Sequence, residues 1–119
     1  MDKVLALIQE STKPIRLFID KDEAFDVLDP TESTPDEMIK AYRDLVNYYN
    51  KLTTHYKDLD QLRGKLIELR LGVSQNTPNG MNLSKNINEA LKYLDCLKDS
   101  LENISNKYYY SLRFYEKYS

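Results

Sequence analysis

Between Met38 and Leu59 seven apolar side chains (Met38, Tyr42, Leu45, Tyr49, Leu52, Tyr56 and Leu59) recur at steps of 4, 3, 4, 3, 4 and 3. A second series keeps the same alternation to the end of the chain: Leu83, Ile87, Ala90, Leu94, Leu97, Leu101, Ile104, Tyr108, Ser111, Tyr115 and Tyr118. A mean step of 3.5 returns to one face of an α-helix, whereas a strand repeats every second residue. The sequence therefore predicts two long helices, each with one apolar stripe that must be buried against something. The first series slips after Leu59. Leu62, Leu66 and Leu69 continue it, but the step to Leu62 is 3 where 4 was due. Such a stammer overwinds a coiled coil, and here it lies beside Gly64.

Local signals set the boundaries. Thr34-Pro35-Asp36-Glu37 has the form of a capping box: a Thr N-cap, Pro at the first helical position, and Glu three residues on. Its two acids also oppose the positive end of the helix dipole. The first long helix is expected over 35–71, closed by Gly72 in a left-handed cap conformation. A loop is expected over 72–82, with Thr77-Pro78-Asn79-Gly80 as a turn. The second long helix is expected over 83–118, with Asn82 or Ser84 as its N-cap. Helices of 37 and 36 residues, each about 55 Å long at 1.5 Å per residue, pack best as an antiparallel hairpin. A turn near Thr77 places residue n level with residue 154 − n, so that Leu71 faces Leu83 and Leu45 falls near Tyr109.

Upstream, residues 1–28 read as two short helices interrupted near Pro14. Val4, Leu7, Ile8 and Ser11 share a face of the first. Thr12 is a possible cap for the second, whose apolar side is Ile15, Phe18, Ile19, Phe25 and Leu28. A short strand over 15–19 is the alternative. Residues 29–34 form a linker. The expected fold is all-α: a single domain over residues 1–119 in which a long antiparallel helical hairpin carries the N-terminal segment at its open end.

Function is constrained mostly by exclusion. Lys plus Arg is 17 and Asp plus Glu is 19, a net charge of −2. That argues against nucleic acid as a partner and against a polybasic membrane anchor. No apolar run reaches the ~18 residues of a membrane span. The N-terminus lacks the pattern of a secretory signal. One Cys then fits an intracellular chain. His55 and Cys96 are the only His and Cys, 41 residues apart, too few for a zinc site or a nucleophile–base pair. Asp20-Lys21-Asp22-Glu23 lacks the glycine turn and distal Glu of a calcium loop. No glycine-rich phosphate loop is present among three Gly. No catalytic residue, metal, cofactor or small-molecule substrate is expected.

The segment Phe25-Asp26-Val27-Leu28 and, after a short linker, Thr34-Pro35-Asp36-Glu37-Met38-Ile39-Lys40-Ala41-Tyr42-Arg43-Asp44-Leu45 resembles the first half of a J-domain. The resemblance covers about 21 residues of 119. It implies a helical co-chaperone that stimulates a heat-shock ATPase through a His-Pro-Asp tripeptide. That tripeptide should fall near Asn50-Lys51-Leu52 and is absent, so this activity is not carried over.

The composition departs most from the ordinary in tyrosine: ten Tyr, three Phe and no Trp. Tyrosine joins rigid apolar area to a hydrogen-bonding tip, a combination favoured at protein interfaces. In the hairpin register the tyrosines gather at the open end. The candidate interaction residues are Tyr42, Tyr49, Tyr93, Tyr108, Tyr109, Tyr110, Phe114, Tyr115 and Tyr118. The expected function is a non-catalytic interaction module, either a subunit of a larger assembly or a self-associating helical protein. A small regulator that binds and blocks one partner protein, such as a viral or phage product, is the alternative.

Overall fold

The computed structural model describes residues 3–21, 28 and 31–118, with the side chain of Tyr118 excepted. Four helices follow in order: α1 (Lys3–Ser11), α2 (Lys13–Lys21), α3 (Pro35–Leu71) and α4 (Pro78–Tyr118). The predicted Phe25 contact and the acidic residues 22, 23 and 26 lie outside the described residues. The segment 15–19 is helical rather than a strand.

The start of α3 follows its sequence signal. Thr34 Oγ1 accepts from the Glu37 amide at 3.2 Å, and the Thr34 amide donates to Glu37 Oε1 at 3.4 Å. The other end differs from expectation. Gly72 has φ −85° and ψ −5°, a right-handed conformation, and its amide donates to the carbonyls of Glu68 and Leu69. A tightened last turn satisfies these carbonyls, so no left-handed residue is needed.

The predicted loop over 72–82 is too long, because α4 begins five residues early, at Pro78. Thr77-Pro78 repeats the start chemistry of Thr34-Pro35: Thr77 Oγ1 accepts from the Gly80 amide at 3.0 Å, and the Thr77 carbonyl accepts from Met81. Neither Asn82 nor Ser84 is the N-cap. Gly80 is required by close approach: a Cβ there would lie 1.7 Å from the Ser74 carbonyl oxygen.

α3 and α4 pack along their length as an antiparallel pair. Tyr49 Oη and Ser105 Oγ are 2.6 Å apart, the level pairing expected. Tyr56–Glu102, Arg63–Asp95 and Arg70–Asn88 meet one turn further along α4. Long side chains lean toward the N-terminus of their own helix, which in an antiparallel pair displaces their meeting points in this direction.

The stammer is not a defect of the core. The buried residues of α3 are Leu45, Tyr48, Leu52, Leu59 and Leu66. Tyr48, His55 and Leu62 complete an unbroken 3, 4 alternation with them. Tyr42, Tyr49 and Tyr56 lie half-buried on the opposite flank. Leu45, Leu52 and Leu59 are thus shared by two stripes, and the slip after Leu59 marks the passage from one to the other. On α4 the predicted stripe is the core from Ile87 to Tyr115, widened by buried Ser84 and Leu91.

α1 and α2 supply the third layer and run against α4. Leu28 marks its approach to the open end, where its amide donates to Tyr115 Oη at 2.9 Å. Ile8 and Ile15 are buried, whereas Leu7 and Ser11, expected inward, are exposed. Thr12 does not cap α2. Its hydroxyl donates back to the Ile8 carbonyl at 2.7 Å, while its own carbonyl accepts from Arg16. Thr12 therefore links α1 to α2 with i→i−4 backbone bonds on both sides of it. Pro14 has no amide hydrogen and so gives the Glu10 carbonyl no i→i−4 bond, while Arg16 Nη2 donates to the neighbouring Gln9 carbonyl at 2.8 Å.

Candidate functional site

The hairpin sorts most of the candidate tyrosines into three groups, the second of which also takes in Tyr56. Tyr108 and Tyr115 are core residues, each 3% exposed. Tyr108 meets the ring of Tyr48 edge-on at 5.6 Å, and Tyr115 meets Phe114 at 5.7 Å. These two hold the open end together and are not available as contact surface. Tyr48, absent from the sequence-derived candidates, joins Tyr108 to Phe18 of the N-terminal layer. Its signal was its place seven residues before His55 and four before Leu52.

The second group lines a groove between α3 and α4. Tyr49, Leu52, Tyr56, Leu101, Glu102 and Ser105 border it, with a volume of about 470 Å³. Its polar tips are already engaged. Tyr49 pairs with Ser105, and Tyr56 Oη donates to Glu102 Oε1 at 2.9 Å. That bond to the Glu102 carboxylate, then burial, holds the Tyr56 hydroxyl above its ordinary pKa. Lys98 Nζ lies 5.6 Å from the centre of the Tyr56 ring. The geometry stiffens the helix pair and leaves a shallow, mostly apolar floor. Tyr42 is half-buried on the same flank of α3, whereas Tyr93 is half-buried on α4 with its hydroxyl enclosed and without a hydrogen-bond partner among the described residues.

The third group faces outward on the last turns of α4. Tyr109 and Tyr110 are 45% and 78% exposed, in edge-to-face contact at 5.4 Å. The Arg113 guanidinium lies 6.0 Å from the Tyr109 ring, over one face. Arg113, Phe114, Glu116 and Lys117 border a shallow concavity beside them. The split of Tyr108 from Tyr109 and Tyr110 follows from the ~100° rotation between successive helical residues. The side chain of Tyr118 lies outside the described residues.

His55 and Cys96 are far from one another in chemistry as in sequence. Cys96 is an exposed free thiol on α4. His55 packs its ring on Phe18 of α2, with centroids 4.9 Å apart. Among the described residues no three His, Cys, Asp or Glu side chains gather as a metal site, and no helix is long and apolar enough to cross a membrane. No family model, no curated protein and no solved structure matches this chain.

Proposed function

We propose that this chain is a non-catalytic protein-binding module whose contact surface is the tyrosine-bearing end of α4. The observation that carries this reading is the contrast within one helical turn. Tyr108 is 3% exposed and Tyr110 is 78% exposed. The core needs one aromatic here, and two more stand in water beside it. Large apolar rings in water cost free energy that a partner's surface recovers. Arg113 stacked beside Tyr109 adds the other side chain type over-represented where interface energy concentrates. The rod-like hairpin presents this end at a distance from the loop, as suits a subunit that bridges or caps an assembly.

The test compares the wild-type chain with the Tyr109→Ala/Tyr110→Ala variant, each immobilised and exposed to extract from the native source. Any retained protein is then purified and titrated against both. The expected result is a loss of affinity of at least roughly tenfold with the helical circular dichroism unchanged. Equal affinity for both forms overturns the assignment of this surface. Lost helicity in the variant assigns the two rings to folding instead.

A further inference from the structure

We propose that His55 is an acid-sensitive latch: protonation of its ring loosens the contact between α2 and α3 while the α3–α4 hairpin stays intact. α2 lies against α4, and its ring contacts to α3 run through one side chain. Phe18 stacks on Tyr48 at 4.9 Å with a 23° interplanar angle and meets His55 at 4.9 Å, tilted by 55°. His55 sits in the inner stripe of α3, between buried Leu52 and Leu59. Its Nδ1 is enclosed and has no hydrogen-bond partner among the described residues. A neutral imidazole tolerates that position, because one ring nitrogen carries no hydrogen. An imidazolium puts a hydrogen on the enclosed Nδ1 as well, and the Phe18 ring packed against it provides no lone pair to accept it.

Among the described residues few charged groups lie around His55. Ser11, Pro14 and Ile15, which border its cavity from the N-terminal layer, do not ionise. Arg16, the half-buried cation of α2, donates to the Gln9 carbonyl. On α3 the same cavity is bordered by Asp58 and Lys65, and no described residue of α4 borders it. Burial lowers the His55 pKa below its ordinary 6.5, and the Asp58 carboxylate opposes this as the smaller effect. A depressed folded-state pKa means that the opened state binds the proton more readily. The stabilising effect of a neutral His55 is therefore fully present above pH 6.5. It is lost as pH falls through 6.5 towards the lower folded value, before carboxylates titrate near ~4.

The test follows ring-proton NMR of the full chain from pH 7.5 down to about 5.5, a window set by these ordinary values. The expected result is a His55 midpoint below 6.5, with cross-relaxation between Phe18 and His55 or Tyr48 lost in step. Contacts between α3 and α4, such as Tyr49 with Ser105, persist. His55→Gln keeps the contact between Phe18 and Tyr48 at the acid end. His55→Phe fills the same space without a titrating nitrogen and serves if the Gln variant unfolds. Asp58→Asn moves the midpoint further down. A wild-type midpoint at or above 6.5 overturns the proposal. So does a Phe18 contact that survives His55 protonation, or one lost equally in the folded variants.

Discussion

At the residue scale, the two helix starts and two of the three glycines define what each position contributes. Thr34 satisfies one amide that would otherwise lack a partner, and Glu37 reciprocates. Thr34→Ala is expected to cost about 1 kcal/mol, read from urea unfolding. Gly64 and Gly80 are both helical yet should respond with opposite sign. A Cβ at Gly64 meets nothing within 4 Å, so Gly64→Ala should stabilise by about 1 kcal/mol through helix propensity alone. A Cβ at Gly80 would overlap the Ser74 carbonyl, so Gly80→Ala should destabilise by about 1–3 kcal/mol as the turn shifts to admit it. Equal effects of the two substitutions in the same unfolding series would refute the close-approach account of the turn.

At the scale of elements, α3 has a buried centre, a half-buried outer flank and an inner flank that is covered by α2. Leu45, Leu52 and Leu59 pack against α4, Tyr49 and Tyr56 close one side, and Tyr48 and His55 receive α2 on the other. Removing a side chain from the centre and from the inner flank should therefore give different patterns. Leu101→Ala empties a site of 0% exposure and is expected to cost about 2–5 kcal/mol across the whole hairpin. Phe18→Ala removes a half-buried ring and should cost no more than about 3 kcal/mol. Its signature is local: amide exchange in α1 and α2 accelerates, while the α3–α4 amides keep their protection. Uniform acceleration in both variants would mean that the three layers unfold as one unit.

At the scale of the whole molecule, the layers form a rod. Its extents are 68 × 21 × 15 Å and its radius of gyration is 19.4 Å. A compact chain of this length would measure about 13–14 Å. Solution X-ray scattering should return a radius of gyration close to about 20 Å for a monomer, since hydration adds little to a rod of this size. Light scattering should give 14.0 kDa, because α1 and α2 already cover the hairpin face that a second chain would otherwise fill. A mass of twice that value would instead make the exposed tyrosine end a contact between copies.

Thr77-Pro78 read as a turn, and α4 starts five residues earlier than expected, but the heptad steps and the Thr34-Pro35 start were legible because they act locally. Each depends on hydrogen bonds and side-chain spacing within a few turns, and together they sufficed for the all-α hairpin and nearly its register. The site was only partly legible. Sequence put Tyr108 and Tyr115 on the apolar stripe of α4 and Tyr109 and Tyr110 off it, yet counted all four as candidate contact residues. Which of these rings is buried depends on what stands opposite, and Leu28 and Tyr48 come from distant parts of the chain. The same holds for the stammer and for His55. Their meaning was decided only when α2 laid Phe18 across α3, since a helical face has no inside or outside until a second element covers it.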